Sequence, residues 1–535
     1  MRPPYARRCL LVISFLWSLL ATAGELDVRI EPLGIDEAQA ATLTQLLLDR
    51  PDVKQRLKGT RYRIISRHFD EPAENKLTYQ TTIYDYTHDK LLVFTGDFAM
   101  AGRSFVHESD DRPEPTHEEF EEAVKIIAID TELGEAVRSG TLIPYEAMPG
   151  LVDDPATDSS GRERVIAVGL KPVQRKGMKA PRHEIVGVNL SRERVARYSA
   201  GAPPTALATT DHCGFANAGQ STTARGTSGM ATITISRDSQ TLWQFVVVRP
   251  SASSGALGSG VEIRNAYYKG RLVFSRAHVP ILNVNYDSNA CGPYRDWQYQ
   301  ENAFTANGTN LASGIRRTTT NPQTIFESES DFGNFRGVAV HTSGNVTRLV
   351  SELQAAWYRY ISEWRFHEDG TVEPIFKFSA VSNSCVCLTH HHHVYWRFDF
   401  DIDTAANNSI EAFNGTNWRA ITTEVKQFRS LQNRAWRVFN TNTGRGYTIT
   451  PSPNDGTANT YGRGDAWALH YRSDQIDDSR VRTSTQANID RFVTAESTVN
   501  TDVVFWYAAH FTHNPNDETA PHLVGPVLRP FNWSR

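Results

Sequence analysis

The sequence predicts a mainly β protein in which two small α+β units precede one large antiparallel β-sandwich. A helix pattern followed by strand-like runs occurs twice before residue 200, as expected when a helix packs on a small antiparallel sheet. From about residue 205 the helix signals fade, and short alternating segments lie between clusters of Gly, Asn, Ser and Thr. The length of 535 residues also exceeds the usual size of one domain. We therefore predict a signal peptide at residues 1–23 and domains at residues 24–105, 112–200 and 205–535.

The N-terminus has the features of a secretory signal peptide. Three arginines and an apolar stretch at residues 9–20 precede the small residues Ala21, Thr22 and Ala23, with cleavage expected before Gly24. The apolar stretch is too short to favour a membrane-spanning helix, and no later segment approaches the ~20 apolar residues that such a helix needs. We expect a secreted or otherwise exported protein. Its formal net charge of -4 gives no electrostatic case for binding nucleic acid or an anionic membrane.

Helix and strand signals define the first two units. One helix is predicted from Asp36, and a second follows Thr116, which forms a capping box with Glu119. Strands are predicted at residues 61–66, 77–86, 90–94, 164–170 and 184–190. A Gly-Ala-Pro-Pro linker at residues 201–204 separates these units from the sandwich. Strands of the sandwich are predicted, for example, at residues 231–236, 242–248 and 271–274.

Four consecutive histidines, His390 to His393, run directly into an alternating segment that ends at residue 403. Side chains at positions i and i+2 of a strand point the same way, so His390 and His392 should face the core with the apolar residues. His391 and His393 should then face outward. Two inward imidazoles can ligate one copper or zinc ion. A solvated histidine run at a strand end is the alternative interpretation.

Four cysteines remain after removal of the signal peptide: Cys213, Cys291, Cys385 and Cys387. In an oxidising compartment they predict two disulfides, and Cys213 with Cys291 is one candidate pair. A metal site of Cys385, Cys387 and histidine is the alternative. Glycosylation in a eukaryotic host would use the Asn-x-Ser/Thr motifs at Asn189, Asn307, Asn345, Asn407, Asn414 and Asn532.

The C-terminal region supplies a third histidine in the segment Thr512-His513-Asn514-Pro515, which follows a strand-like Asp-Val-Val-Phe-Trp run. With this motif the chain resembles the copper amine oxidases. In that family a His-x-His pair begins a strand that continues into Arg-x-Asp-x-Asp, and a Thr-His-x-Pro motif carries the third copper ligand. The resemblance implies copper ligands at His390, His392 and His513. A shifted register would use His391 and His393 instead, and three histidines also suit zinc.

The resemblance also implies a cofactor and the residue that forms it. The family's cofactor is topaquinone, which copper and oxygen make from a tyrosine of the chain. Alignment on Asp369-Gly370-Thr371 puts Tyr358 at this position, and Tyr360 is the alternative, a simple aromatic residue of the strand. The family reads Asn-Tyr-Asp/Glu here, whereas this chain reads Trp357-Tyr358-Arg359. Tyr286 lies in a segment that resembles another family motif, and it would hydrogen-bond the quinone oxygen.

The catalytic base is a second point where the chain departs from the family. An Arg-Asp-Trp-Gln segment that ends at Gln298 resembles a family motif, and counting on from it places the family's catalytic Asp on Asn302. An amide cannot accept a proton as a carboxylate does. A one-residue slip brings in Glu301 as the base, and burial in a largely apolar pocket would raise its pKa toward neutrality. Asp296 is a weaker candidate, and a plain surface carboxylate is the alternative interpretation for both.

Three further carboxylates, Asp399, Asp401 and Asp502, coincide with a peripheral calcium site of the family. Clustered carboxylate oxygens are the ligands that a hard cation prefers. Acidic residues at strand ends in water are the alternative interpretation.

Taken together, the resemblance implies two cystatin-like domains, a catalytic sandwich and a homodimer. The implied activity is oxidation of a primary amine by dioxygen to an aldehyde, with release of ammonia and hydrogen peroxide. A second hypothesis is a secreted copper-binding homologue that keeps the scaffold and the metal site but not the quinone. Trp357, Arg359 and Asn302 support it, because each stands where active members of the family differ.

Overall fold

A computed structural model describes residues 25–73, 76–97, 105–109, 112–155, 163–173, 184–198, 213–287, 291–429, 435–478, 486–514 and 522–533. These residues form a mainly β structure of largely antiparallel sheets, which confirms the predicted fold class. The predicted signal peptide and the linker at residues 201–204 lie outside the described residues. No helix in the described ranges is long and apolar enough to cross a membrane.

The first region combines two helices with a small antiparallel sheet. Its elements are β1 (Asp27–Leu33), α1 (Glu37–Asp49), α2 (Pro51–Leu57), β2 (Tyr62–Ala73), β3 (Lys76–Asp85), β4 (Lys90–Asp97) and β5 (Phe105–Ser109). Helix α1 begins at Asp36, whose side chain accepts a hydrogen bond from the Gln39 backbone N–H, while the Gln39 side chain accepts one from the Asp36 N–H. This reciprocal cap satisfies two backbone donors at the helix start.

The second region repeats the order of helix and sheet. Its elements are α3 (His117–Ile129), α4 (Gly134–Arg138), β6 (Leu142–Leu151), β7 (Val165–Pro172), β8 (Glu184–Asn189) and β9 (Arg194–Ala196). The capping box of Thr116 and Glu119 is present, as predicted. Asn189 is buried, and its amide donates to Asp154 and Glu163, so this motif is not an accessible glycosylation site. The three-domain division stays a prediction.

The third region carries the strands of the sandwich and one short helix. Its elements are β10 (Met230–Arg237), β11 (Gln240–Val248), β12 (Glu262–Tyr268), β13 (Arg271–Tyr286), β14 (Tyr294–Arg295), β15 (Gly308–Ala312), β16 (Ile315–Thr318), α5 (Ile325–Ser328), β17 (Val338–Ser343), β18 (Val346–Ala355), β19 (Tyr358–His367), β20 (Val372–Ala380), β21 (His390–Phe400), β22 (Asn408–Phe413), β23 (Trp418–Ile421), β24 (Val425–Gln427), β25 (Trp436–Asn440), β26 (Gly446–Thr450), β27 (Ala466–His470), β28 (Val503–His513), β29 (Leu523–Val524) and β30 (Val527–Phe531).

Two large sheets dominate the described residues. Sheet I has the order β1-β10-β11-β12-β13-β21-β28-β27-β24, with β14 on β13. Sheet II has the order β15-β16-β17-β18-β19-β20-β30-β26-β25-β22-β23, with β29 on β20. Strand β1 precedes the first small sheet in the chain but pairs with β10, so it belongs to sheet I. The small sheets are β2-β3-β4-β5 and β6-β7-β8-β9.

The main core lies between sheets I and II and is rich in aromatic residues. Phe366 of sheet II stacks on Phe245 of sheet I with ring centroids 4.1 Å apart, and it meets Trp243 edge-on at 5.1 Å. Burying each such ring stabilises the fold by roughly 1.5–3 kcal/mol. The packing brings strand β19 of sheet II against strands β13 and β21 of sheet I, and this contact positions the candidate site.

Strand β21 differs from the prediction on its outer face. His390 and His392 are buried toward the core, as predicted, but His393 is also fully buried on the opposite face. That face is covered by a second apolar cluster, which includes Tyr395 and Trp467. Strand β21 is therefore buried on both sides, and the prediction that His393 faces outward was wrong.

The cysteines form two disulfides, but not with the suggested pairing. Cys213 is bonded to Cys387, and Cys291 is bonded to Cys385. The pair Cys213 with Cys291 was therefore wrong, and a Cys385/Cys387 metal site is excluded because neither sulfur is a free thiolate. Both bridges end in the short turn that precedes His390.

Candidate metal centre and active site

The register of three neighbouring strands brings the site together. At the start of β21, His390 lies opposite Tyr286 of β13 on one side and opposite His513 of β28 on the other. Directly opposed residues of paired strands point to the same face. One row across sheet I therefore presents a tyrosine and two histidines to the core, and His392 adds a third histidine two residues further along β21.

The hydrogen bonds of His390 leave one of its ring nitrogens able to act as a metal ligand. Its Nδ1 lies 2.7 Å from the Leu388 carbonyl oxygen, which requires a proton on Nδ1 and leaves the lone pair on Nε2. That Nε2 lies 3.2 Å from Nδ1 of His513. Burial and the neighbouring His513 lower the pKa of His390 to about 3, so the ring is neutral near pH 7. A backbone partner on the far nitrogen is the usual arrangement of metal-binding histidines.

His392 completes the cluster and carries a buried nitrogen without a partner. Its ring centroid is 4.9 Å from that of His390, and burial, together with His390, lowers its pKa well below the ordinary value. Its Nδ1 has no hydrogen-bond partner among the described residues. A buried polar nitrogen without a partner destabilises the folded state by about 1–3 kcal/mol. A soft or borderline cation would give this nitrogen a partner, and it suits a cluster of neutral imidazoles.

Tyr358 lies against this cluster at the beginning of β19. Its ring centroid is 5.5 Å from that of His390 and 5.0 Å from that of His392. Its hydroxyl is 2.5 Å from the Tyr286 hydroxyl, and burial raises its pKa. Tyr360 also points this way, but its centroid lies 5.8 Å from His392. The structure thus brings together Tyr358, Tyr286 and the three predicted histidines.

Asp296 is the buried carboxylate next to these tyrosines. Its Oδ2 accepts a hydrogen bond from the Tyr360 hydroxyl, whereas its Oδ1 has no partner among the described residues. The Tyr360 ring in turn stacks on that of Tyr358 at 5.3 Å. Burial raises the pKa of Asp296 from its ordinary 3.8 to about 7.

Glu301, the predicted base, is not brought to this group. Arg249 donates to both of its carboxylate oxygens, and the Ser251 backbone N–H and the Thr223 hydroxyl add two further hydrogen bonds. Neither Glu301 nor Asp296 lines the cavity that contains the histidines, but only Asp296 has a hydrogen bond to a tyrosine that stacks on Tyr358. A carboxylate held by a bidentate arginine and two more donors would lose these contacts if it took up a proton, so it is poorly placed to act as a base.

The residues on either side of Tyr358 are buried and built into the scaffold. Arg359 forms a two-pronged ion pair with Asp331, and its remaining nitrogen donates to the carbonyls of Ala356 and Tyr358 at 3.0 Å. Asn302 donates to the same Asp331 at 2.9 Å. The positive charge of Arg359 is therefore neutralised locally and holds the backbone that carries Tyr358.

A cavity of about 140 Å³ joins the site residues and contains one histidine that the sequence motifs did not reveal. It is lined by Tyr358, His390, His392, His513 and His522, with Gly214, Phe215, Phe326, Glu329, Phe378, Ser379, Ala380 and Val386. The ring of His522 meets that of His513 edge-on, with centroids 4.8 Å apart. His522 follows the Thr-His-x-Pro motif by several residues and belongs to no recognisable pattern.

The odd-numbered histidines of the run face away from this cavity. His391 contacts Thr512 and Asp287 at 2.9 and 2.7 Å. His393 pairs with His510, their Nδ1 atoms 2.8 Å apart, and also contacts Asn285. The shifted register would therefore place the ligands on the side of sheet I opposite to Tyr358.

The three predicted calcium ligands converge at the other end of strands β21 and β28. One carboxylate oxygen from each of Asp399, Asp401 and Asp502 lies within 4.8 Å of the others, and each Oδ1 lacks a hydrogen-bond partner among the described residues. Burial and mutual repulsion raise the pKa of Asp401 to about 7 and that of Asp502 to about 6. Three oxygens with this spacing fit a hard cation such as calcium.

Known proteins resemble the chain in fold rather than in sequence. No protein-family model and no curated protein matches this sequence. A copper-containing benzylamine oxidase from Hansenula polymorpha matches 94% of the chain and 97% of its own, with TM-score 0.57 and 13% identity. An Aspergillus nidulans amine oxidase matches 94% and 88%, with TM-score 0.55 and 13% identity. Lysyl oxidase from Pichia pastoris matches 94% and 90%, with TM-score 0.54 and 13% identity. The chain has the fold of the copper amine oxidases.

Proposed function

We propose that the protein is an exported copper-dependent primary-amine oxidase whose cofactor tyrosine is Tyr358. The observation that carries the proposal is the position of this tyrosine, which is buried against two imidazoles of a three-histidine cluster and hydrogen-bonded to a second tyrosine. A residue that is to be oxidised by a metal must lie beside it. The shared fold and the motifs at both ends of the cluster support the same conclusion.

His390, His392 and His513 would hold the copper ion. His390 and His392 suit it because burial keeps their rings neutral. In addition, Nδ1 of His390 is oriented by a backbone carbonyl, and Nδ1 of His392 has no partner among the described residues. His513 is buried, and its Nδ1 lies 3.2 Å from Nε2 of His390. The same donors accept zinc, which has no redox chemistry, so the identity of the metal decides between an oxidase and a structural site.

In the proposed reaction, one primary amine, one dioxygen and one water give an aldehyde, ammonia and hydrogen peroxide. Copper and the topaquinone derived from Tyr358 would supply the two-electron oxidation and the return of the electrons to dioxygen. Tyr286 holds the oxygen of residue 358 through its short hydroxyl contact, and this fixes the ring before the reaction.

We propose Asp296, rather than Glu301, as the base that takes the proton from the carbon next to the amine nitrogen. A base works best when its pKa lies near the operating pH, and the pKa of Asp296 is raised to about 7 by burial. One of its oxygens has no hydrogen-bond partner among the described residues. Glu301 is already neutralised by Arg249, so removing a proton from substrate would cost it an ion pair.

The remaining features of the proposal are structural. Asp399, Asp401 and Asp502 would bind calcium, which removes the repulsion between their buried charges. The protein would act as a soluble homodimer outside the cytoplasm, on a small amine and dioxygen.

A copper-binding protein without turnover is the second candidate function. The specific observation in its favour is that Trp357 and Arg359, which flank Tyr358, are both buried.

The test is to load the full chain with Cu(II) in air and look for a quinone by visible absorption and phenylhydrazine labelling, followed by peptide mapping. We expect the label on residue 358, loss of the label in Tyr358→Phe and its retention in the matched control Tyr360→Phe. Copper bound at one equivalent with an unmodified Tyr358 would rule out the oxidase in favour of the second candidate. Failure to bind copper would rule out both.

A further inference from the structure

A fourth histidine lines the cavity that contains the three-histidine cluster. His522 is held there by sheet II, because its carbonyl accepts a hydrogen bond from the Phe378 backbone N–H at 3.1 Å. The next residues form β29, which pairs with β20. The three other histidines come from sheet I, so His522 approaches them from the opposite side of the sandwich.

The distance of the His522 ring from the His513 ring matches the distances within the cluster. Its centroid is 4.8 Å from that of His513, compared with 4.7 Å between His390 and His513 and 4.9 Å between His390 and His392. Imidazoles that share one metal ion through bonds of about 2.0 Å have centroids roughly 4.5 to 5.5 Å apart. The ring plane is also restrained, since Phe511 stacks on it at 5.6 Å.

We propose that His522 is a fourth imidazole ligand of the metal ion that His390, His392 and His513 would hold. This inference rests on the metal site of the proposed function and is independent of turnover. A fourth protein nitrogen occupies a position that a three-histidine site leaves to water or another small ligand. The ion would therefore link the two sheets and exchange external ligands less readily than a three-histidine centre.

The experiment counts the imidazoles on Cu(II) in the full chain by pulsed electron paramagnetic resonance. We expect four histidine nitrogens in the parent protein and three in His522→Asn. A competition titration should show Cu(II) binding at least ~10-fold weaker in His522→Asn. The matched control His391→Asn removes a histidine of β21 that faces away from the cavity, and it should behave like the parent.

The nitrogen count separates ligation from packing. If His522 only packed against His513, its replacement could weaken binding but would leave the number of bound imidazoles unchanged, and that result would overturn the proposal. A parent protein with three bound imidazoles would also overturn it while leaving the copper site intact. The measurement on the parent protein needs no variant. The proposal can therefore still be tested if His522→Asn fails to fold. A parent that binds no copper would instead refute the metal site of the proposed function, and the fourth ligand with it.

Discussion

Strands β21 and β28 carry two chemically opposite candidate metal sites at their two ends. Where β21 begins, three histidines converge on a cavity, and where it ends, three aspartates converge on one another. The pairing runs without a slip from His390 opposite His513 to Phe400 opposite Val503. At ~3.3 Å per residue the two ends are roughly 30 Å apart. One strand register therefore fixes both sites.

Burial has opposite effects on the pKa values of the histidines and of the aspartates. It lowers the pKa of His390 to about 3, so that neutral rings keep their lone pairs available without a charge to compensate. It raises the pKa of Asp401 to about 7, because three buried carboxylates repel one another and lose hydration. A metal ion at the nitrogen end would require no change of protonation, whereas a cation at the oxygen end would offset the repulsion between carboxylates at neutral pH.

The largest expected effect is at the nitrogen end. We expect His392→Ala to lose stoichiometric copper and all quinone labelling, because it removes one of the three proposed donors of the cluster. Calcium binding at the aspartates should be unchanged. Metal analysis after dialysis, with a calcium titration of the same sample, measures both. Retention of copper at one equivalent in this variant would contradict the assignment of the site, and His391→Asn serves as the control.

A large effect on rate is expected at Asp296. The variant Asp296→Asn should lower kcat by about 10²–10⁴-fold while copper content stays normal, because the base is lost and the ligands are not. In the parent, kcat/KM should rise with pH through about 7, as Asp296 loses its proton. Steady-state kinetics across pH 5 to 9 tests this. If Glu301→Gln lost as much kcat while it remained folded and loaded with copper, Glu301 rather than Asp296 would be the base.

An intermediate effect is expected at the oxygen end. The folded-state pKa of Asp401 lies above its ordinary 3.8, so the cation-free protein should lose stability as pH rises from about 4 to 7. Asp401→Asn should bind calcium at least ~10-fold more weakly. In calcium-free buffer at pH 8 it should melt above the parent, because one buried charge is gone. A parent that shows no calcium-dependent rise in melting temperature at pH 8 would argue against the site.

The smallest effect concerns coupling between the two ends. Sites this far apart, with no shared partners, usually add within about 0.3–0.5 kcal/mol, so saturating calcium should change the Cu(II) affinity by less than about twofold. Competition titrations with and without calcium measure the difference. A tenfold change would mean that the shared strands transmit strain from one site to the other.

The parts of the site that depend on local pattern could be predicted from the sequence. Alternation along β21 identified His390 and His392, since side-chain direction in a strand follows from position alone. The motif at His513 and the spacing to Tyr358 also depend on a few neighbouring residues. The capping box of Thr116 and Glu119 and the fold class follow from short-range signals of the same kind.

The remaining parts depend on residues that are distant in sequence. Glu301 is neutralised by Arg249, which lies 52 positions earlier, so no local signal separates it from Asp296. The covering of His393 comes from segments beyond residue 460, and His522 reaches the cavity only because β29 pairs with β20. The cysteine pairing depends in the same way on which loops meet at the turn before His390.

The turn before His390 is where both disulfides end. The two disulfides close chain separations of 174 and 94 residues and meet at Cys385 and Cys387, five and three residues before His390. Cross-links over such distances remove much of the freedom of the unfolded chain. We therefore expect a preparation made in a reducing cytoplasm to bind copper better when its thiols are oxidised before copper is added.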